Sequence, residues 1–241
     1  MNLSNKIAIV TGSTSGIGTA FATDLIQAGT TVYGIGRNQK AQATLREQLG
    51  SAYYPVTADI RDHETLDKWV ADTFSATHSP DILINNAGLG IFGAIDQMSV
   101  EDWETMMQTN VNGIFYLTRT VVPLMKASEG HSHIINVASV AGLMGNPMIS
   151  GYNATKFAVR GMSEALFKEL RYDNIKVTCI YPGSISTRFF ATDDSLNTHD
   201  NMMTVNDISG TVMHILQTAD NYLISEVVMR PLNPKNPEAG E

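Results

Sequence analysis

The sequence is nearly free of cysteine. Cys179 is the only one in 241 residues, so neither an internal disulfide nor a cysteine metal cluster can form. No run of about 18 apolar residues occurs, which gives no reason to expect a transmembrane helix or a membrane partner. The opening MNLSNKIAIVTG has neither a long apolar leader core nor a small-residue cleavage site, so the expected location is the cytoplasm. Basic residues are scarce: 16 Lys and Arg against 24 Asp and Glu leave a formal charge of −8. That balance argues against nucleic acid, which needs a basic face. No repeat or low-complexity linker divides the chain. Only NPKNPEAGE (233–241), rich in Pro, Gly and charge, reads as a flexible tail.

What is present is alternation. Short apolar, β-branched runs ending in turn residues read as buried strands: KIAIVTG (6–12), TVYGIG (31–36), YYPVTAD (53–59), DILINNAG (81–88), HIINVAS (133–139) and KVTCIYPG (176–183). LISEVVMRP (223–231) makes a seventh. Helix-period stretches lie between them, at about 18–28 with Gly29 as a stop, then at 38–49, 62–77, 99–126 and 152–172. Strands alternating with helices predict parallel pairing and crossover helices on both faces, in one three-layer α/β domain over residues 1–232.

TGSTSGIG (11–18) joins the first strand to the first helix. Gly12, Gly16 and Gly18 permit positive φ, close backbone approach and tight helix–strand packing, and the helix start offers free N–H groups to a diphosphate. The spacing is G-x-x-x-G-x-G and lacks the lysine of an NTPase phosphate loop. A dinucleotide site is the reading; a plain glycine-rich turn is the alternative. In such sites an acidic residue about 20 positions on grips the ribose diol. Here Gly36 occupies that place, Arg37 and Asn38 follow, and residues 32–38 hold no Asp or Glu. A missing repulsion and an available guanidinium favour the 2′-phosphate of NADP(H), with NAD(H) still possible. A solvated Arg37 is the bland alternative. Asp59 reads as an adenine-side hydrogen-bonding group or, equally on local grounds, as a turn former.

GYNATK (151–156) places Tyr152 and Lys156 at i and i+4, on one helical face. A free phenol titrates near ~10, and an ammonium within ~4–6 Å would lower that value and make the phenol useful in acid–base work. The pair alone is weak, since such spacings arise by chance. Ser139 ends the preceding strand, at the sheet edge where open α/β folds bind ligands, so its hydroxyl and that of Tyr152 could meet one substrate oxygen. NNAG (85–88) ends the fourth strand at the same edge. Asn110 lies inside a helical stretch, where asparagine is a mediocre former; a non-helical task and a surface position are both open.

Together these residues resemble the short-chain dehydrogenase/reductase (SDR) family. TGSTSGIG is similar to its cofactor loop, NNAG to its mid-sheet motif, and PGSIST (182–187) to its nicotinamide-side loop. Asn110, Ser139, Tyr152 and Lys156 follow the order and approximate spacing of its catalytic group. The resemblance runs from residue 6 to about 230. It implies a single doubly wound Rossmann-type domain, with a mostly parallel sheet of about seven strands. It implies hydride transfer between NADP(H) and a small carbonyl or alcohol, without a metal. Ser139 would polarise the substrate oxygen, and Tyr152 would exchange a proton with it. Lys156 would tune Tyr152 and hold the nicotinamide ribose, and Asn110 would keep a water linking Lys156 to solvent. Cofactor contacts would come from Gly12, Thr14, Ser15, Gly16, Ile17, Gly18, Arg37, Asn38, Asp59, Ile60, Asn86, Ala87, Gly88, Tyr152, Lys156, Pro182, Gly183, Ile185 and Thr187. Some NADP-using members carry a basic residue where Ser15 stands, so the phosphate argument rests on Arg37 and the missing acid. The resemblance also implies a homotetramer or homodimer built on the helices at 99–126 and 152–172. A non-catalytic dinucleotide-binding regulator is the rival, and would be expected to have lost Ser139, Tyr152 or Lys156.

Residues 184–206 are expected to form a substrate lid, carrying Arg188, Phe189, Phe190, Asp193, Asp194, His199, Met202 and Met203. LGIFGAI (89–95) and LMGNPMI (143–149) are the expected walls, mainly apolar; core packing is the alternative for the Met and Phe residues. Cys179 reads as a buried inert thiol. His131 and His133, with no matched Asp or Cys, read as surface residues.

Overall fold

The computed structural model describes residues 1–187 and 200–233. Seven strands form one sheet in the order β3-β2-β1-β4-β5-β6-β7, and every neighbouring pair is parallel. They are β1 (Ile7–Thr11), β2 (Thr31–Gly36), β3 (Tyr53–Thr57), β4 (Ile82–Asn85), β5 (Ser132–Val137), β6 (Ile175–Pro182) and β7 (Glu226–Met229). The helices are α1 (Gly16–Gln27), α2 (Gln39–Leu49), α3 (His63–Thr73), α4 (Val100–Met107), α5 (Gly113–Ala127), α6 (Ser150–Leu170) and α7 (Val205–Leu216).

The layers follow from which side each strand residue faces. In β1, Ala8 and Val10 pack with Phe21 and Leu25 of α1 and Val212 of α7. Ile9, between them, faces Leu66 and Val70 of α3 and Leu117 and Val121 of α5. Strands buried on both faces need apolar residues in a run, and β4, β5 and β6 are buried along their whole length. The strand order reverses between β1 and β4, which opens a crevice at their carboxyl ends. Asn85 of β4 donates to Asn136 Oδ1 of β5 at 2.8 Å, and Asn136 donates to Ser163 of α6 at 2.9 Å, so sheet and helix are also joined by buried amides.

Three sequence expectations change. The stretch 99–126 is not one regular helix: a π-turn, Gln108–Asn112, separates α4 from α5 and holds Asn110 fully buried. α7 was not foreseen at all. It starts with a capping box between Thr204 and Asp207. Third, the reading of His133 as a surface residue is wrong: it lies inside β5 at 1% exposure. His131 does lie at the surface, its side chain 39% exposed and 3.9 Å from Asp220.

His133 has an acid-stability consequence. Thr178 Oγ1 donates to Ile224 O, so it accepts from His133 Nε2 at 2.8 Å, which leaves Nδ1 as the bare acceptor. Nδ1 is buried without a hydrogen-bond partner, and a proton placed there would have nothing to bond. Burial first, then the charges of Lys176 and the N-terminal amine, lower its pKa from 6.5 to about 3. The unfolded chain therefore binds a proton that the fold refuses. Stability is full above pH 6.5 and falls by about 1.4 kcal/mol per unit from there towards pH 3. A His133→Gln variant should show a shallower loss of melting temperature between pH 7 and pH 5 than the wild type. Parallel curves would remove the histidine from the explanation.

Candidate active site

The crevice is a cleft of about 1270 Å³. One wall is the glycine turn after β1. Gly12 is left-handed, with φ 66°, and its N–H donates to Ile35 O at 2.8 Å. Ser15 caps α1 in an extended conformation without a side-chain cap bond, so the first N–H groups of α1 stay available to a ligand. The turn sits hard against the end of β4. Thr11 Oγ1 accepts from the N–H groups of Asn86 and Ala87, both at 2.9 Å, and Asn86 Nδ2 donates to Thr11 O at 3.0 Å.

The opposite wall carries the titratable groups. Ser139 follows β5, and its Oγ accepts from Ala141 N–H at 3.1 Å, which starts a short 3₁₀ turn. Its hydroxyl shares the cleft with the Tyr152 phenol, in the first turn of α6, and lies close enough to favour the phenolate. The Tyr152 ring meets Phe92 edge-on, centroids 5.7 Å apart. Lys156, 4% exposed, donates from Nζ to Val137 O at 2.9 Å and lies 5.6 Å from the Tyr152 ring centroid. Burial decides the ionisation of both groups. It pushes the phenol up to about 12, against the smaller lowering by Ser139, and it pushes the lysine down to about 8. The expected lowering of Tyr152 by Lys156 is not found: burial dominates, and the opposing influence comes from Ser139.

Asn110 stands behind this wall. Its side chain accepts from Leu89 N–H at 2.9 Å and donates to Leu89 O at 2.8 Å and to Thr155 Oγ1 at 3.1 Å. A Cβ on Gly88 would fall 3.2 Å from Asn110 Oδ1 and 3.6 Å from Lys156 Nζ, so both groups approach that glycine. The π-turn is what aims the amide inward, since α-helical winding would place it differently.

Most of the sequence-predicted residues come together. Gly12, Thr14, Ser15, Gly16, Ile17, Asn86, Ala87, Gly88, Ser139, Tyr152, Lys156, Pro182, Gly183, Ile185 and Thr187 all line the cleft. Gly18 instead packs beneath it, on Gly12 O. Ile60 is buried against Gly113. Asp59 is gripped by Arg61 at 2.6 Å, which holds its carboxyl below the usual range, with a minor contribution from Arg37. Arg37 is exposed. Asn38 caps α2 by accepting from Ala41 N–H at 3.0 Å. It also lines a second groove of about 390 Å³, with Thr14, Lys40 and Thr44. Lys40 was missed in the sequence because only the position directly after β2 carries a known signal.

Of the expected walls, Leu89, Ile91, Phe92, Pro147, Met148 and Ile149 do face the cleft. Met203 packs instead against the core and bridges Ile185 beyond β6, its carbonyl accepting from Ser186 N–H at 2.9 Å. The lid residues Arg188, Phe189, Phe190, Asp193, Asp194 and His199 lie outside the described residues. Cys179 is buried, and burial raises its thiol. Among the described residues, no helix is long and apolar enough to cross a membrane, and no three His, Cys, Asp or Glu side chains could hold a metal ion.

The family model described as short chain dehydrogenase matches residues 6–197. A Staphylococcus epidermidis protein named an uncharacterized oxidoreductase is 32% identical over 228 residues, 94% of this chain and 97% of that one. The closed form of a serine dehydrogenase complexed with NADP+ matches with a TM-score of 0.89 at 33% identity, covering 98% of each chain. A 3-ketoacyl-(acyl-carrier-protein) reductase from Brucella melitensis, complexed with NADH, matches with a TM-score of 0.87 at 26% identity, covering 94% of this chain and 97% of that one.

Proposed function

Because the chain belongs to the short-chain dehydrogenase family, we propose that it is an NADP(H)-preferring oxidoreductase of a small alcohol and its carbonyl. The observation that carries this is the convergence of Ser139, Tyr152 and Lys156 on the same cleft that the glycine turn opens into. When bound, a nicotinamide dinucleotide supplies the hydride acceptor or donor. Tyr152 gives a proton to the substrate oxygen in reduction and takes one in oxidation, and Ser139 holds that oxygen. Lys156 holds the ribose and stabilises the phenolate when it forms. Asn110 supports the proton path behind Lys156. The free N–H groups of α1 and the left-handed Gly12 receive the diphosphate.

The absence of an acid at 32–38 supports a 2′-phosphate, and so does the exposed Arg37, which directly precedes Asn38 in the groove that carries Lys40. L-serine and related hydroxy acids are the first substrates to test, since the serine dehydrogenase shares a third of its residues with this chain. The apolar wall of Leu89, Ile91 and Phe92 favours a substrate of modest size. Residues 1–232 act as one domain, and the protein is cytoplasmic. Trp103, Phe115 and Phe157, exposed on α4, α5 and α6, support a homodimer or homotetramer joined through those helices.

The test is L-serine oxidation followed by nicotinamide absorbance, with NADP+ and NAD+ in parallel, in wild type and Arg37→Ala. The wild type should prefer NADP+, and the variant should lose ~10–100-fold in NADP+ affinity with little change for NAD+. Equal losses would remove the phosphate reading. A wild type inert on L-serine but active on other alcohols would confine the error to the substrate.

A further inference from the structure

We infer that Asn153 is a positioning residue for this reaction: it fastens the loop that carries Ser139 to the helix that carries Tyr152. The inference rests on the roles of Ser139 and Tyr152 proposed above.

Asn153 follows Tyr152 in α6 and is 7% exposed. Its Nδ2 donates to Ala141 O at 2.6 Å and to Met144 O at 2.8 Å, and its Oδ1 accepts from Asn146 N–H at 3.1 Å. One amide thereby satisfies three backbone groups of the segment between β5 and α6. That segment has little structure of its own beyond the 3₁₀ turn Val140–Gly142. Its path is set by what it is tied to.

Two contacts turn this tie into control of the hydroxyl pair. Ala141, whose carbonyl Asn153 holds, donates its own N–H to Ser139 Oγ at 3.1 Å. A continuous set of bonds therefore runs from the backbone next to Tyr152, through Asn153 and Ala141, to the serine hydroxyl. Gly142 lets the loop lie flat on α6, because a Cβ there would fall 2.7 Å from Lys156 O. Beyond Asn146 the loop reaches Met148, left-handed at φ 67°, whose carbonyl accepts from Gly93 N–H at 2.7 Å. The same amide thus steadies the cleft wall that Met148 and Phe92 share. Hydrogen bonds of this kind leave substrate untouched, so Asn153 acts only through Ser139 and the wall.

The test uses the NADP+-bound protein with L-serine as substrate, and a substrate-free titration of the Tyr152 phenol by ultraviolet difference absorbance, with Tyr152→Phe as the blank. In Asn153→Ala, kcat should fall ~10–100-fold, as expected when a reacting group is misplaced by about 1 Å, while NADP+ affinity stays within about 2-fold. The phenol's ionisation should shift upward, because Ser139, which favours the phenolate, moves away from it. Asn153→Asp keeps the acceptor for Asn146 but turns an oxygen towards the two carbonyls, so it should share the defect. Adding Asn153→Ala to Ser139→Ala should cost little more than Ser139→Ala alone, since the two act in one chain of bonds. If the alanine variant does not fold, Asn153→Ser, which can still donate to one carbonyl, carries the same comparison. An unchanged phenol titration with kcat within 2-fold of wild type would overturn the inference, even with a lower melting temperature, and so would losses that multiply in the double variant. A wild type inert on L-serine would discard that substrate, and the phenol titration would still decide the role of Asn153.

Discussion

Replacing Tyr152 with phenylalanine should cut turnover by ~10²–10⁴-fold while NADP(H) still binds. The change deletes one oxygen and leaves the ring, which packs against Phe92 and beside Met106 and Ala141. The fold should therefore survive, and the loss should appear in kcat. Lys156 does not depend on the phenol for its place, since its ammonium is bonded to Val137 O at 2.9 Å. The coenzyme site keeps its cation, and fluorescence titration with NADPH should give an affinity within about 3-fold of wild type, a ratio of under ~0.7 kcal/mol. The pH dependence has a definite sign. Burial raises the phenol to about 12, so near neutral pH it is protonated and ready to donate in carbonyl reduction. Alcohol oxidation requires the phenolate, so its rate should climb with pH between 6 and 9 while reduction changes less. Substantial turnover in Tyr152→Phe, or oxidation that declines as pH rises, would remove Tyr152 from proton transfer.

The parts of this architecture that were legible in the sequence are those where one residue type answers one physical demand. β4, β5 and β6 are rich in apolar and β-branched residues because helices cover both of their faces, and such stretches stand out without a structure. Gly12 and Gly16 were legible because the turn demands positive φ, observed at 66° and 54°. Other features depend on partners far away in the chain. Nothing near His133 announces that Thr178 and Lys176 will enclose it, so a histidine before an apolar run read as surface. The π-turn at Asn110 leaves the apolar periodicity almost unchanged and is visible only in the backbone. α7 follows the expected lid and was masked by it, although Thr204 and Asp207 are a recognisable cap. Asn153 was invisible because all three of its side-chain bonds go to backbone atoms, which carry no residue signature. Tyr152 and Lys156 were legible as a pair from their i, i+4 spacing, but that burial governs the ionisation of both needed the surroundings of each group.

Gly18→Ala should abolish coenzyme binding at usable concentrations, a loss of ~100-fold or more, equivalent to about 3 kcal/mol. It should also lower the melting temperature by several degrees, as expected for a core overpacked by 1–3 kcal/mol. Gly18 has an ordinary helical backbone, so the effect is one of space alone. A Cβ there would sit 2.1 Å from Gly12 O and 2.6 Å from Asn86 Nδ2. The first atom is main chain and cannot rotate away. The second is held by Thr11 O at 3.0 Å. To admit one methyl group, α1 must move off β1 or the turn must move into the cleft, and either displaces the N–H groups meant for the diphosphate. Gly210→Ala is the matched control. It lies exposed inside α7 with nothing within 4 Å of its Cβ, so it should leave binding alone and stabilise the helix by up to ~1 kcal/mol. The contrast separates a glycine required by packing from one that is merely tolerated. If both variants bound NADPH like wild type, the close approach of Gly18 to Gly12 would not be what shapes the coenzyme turn.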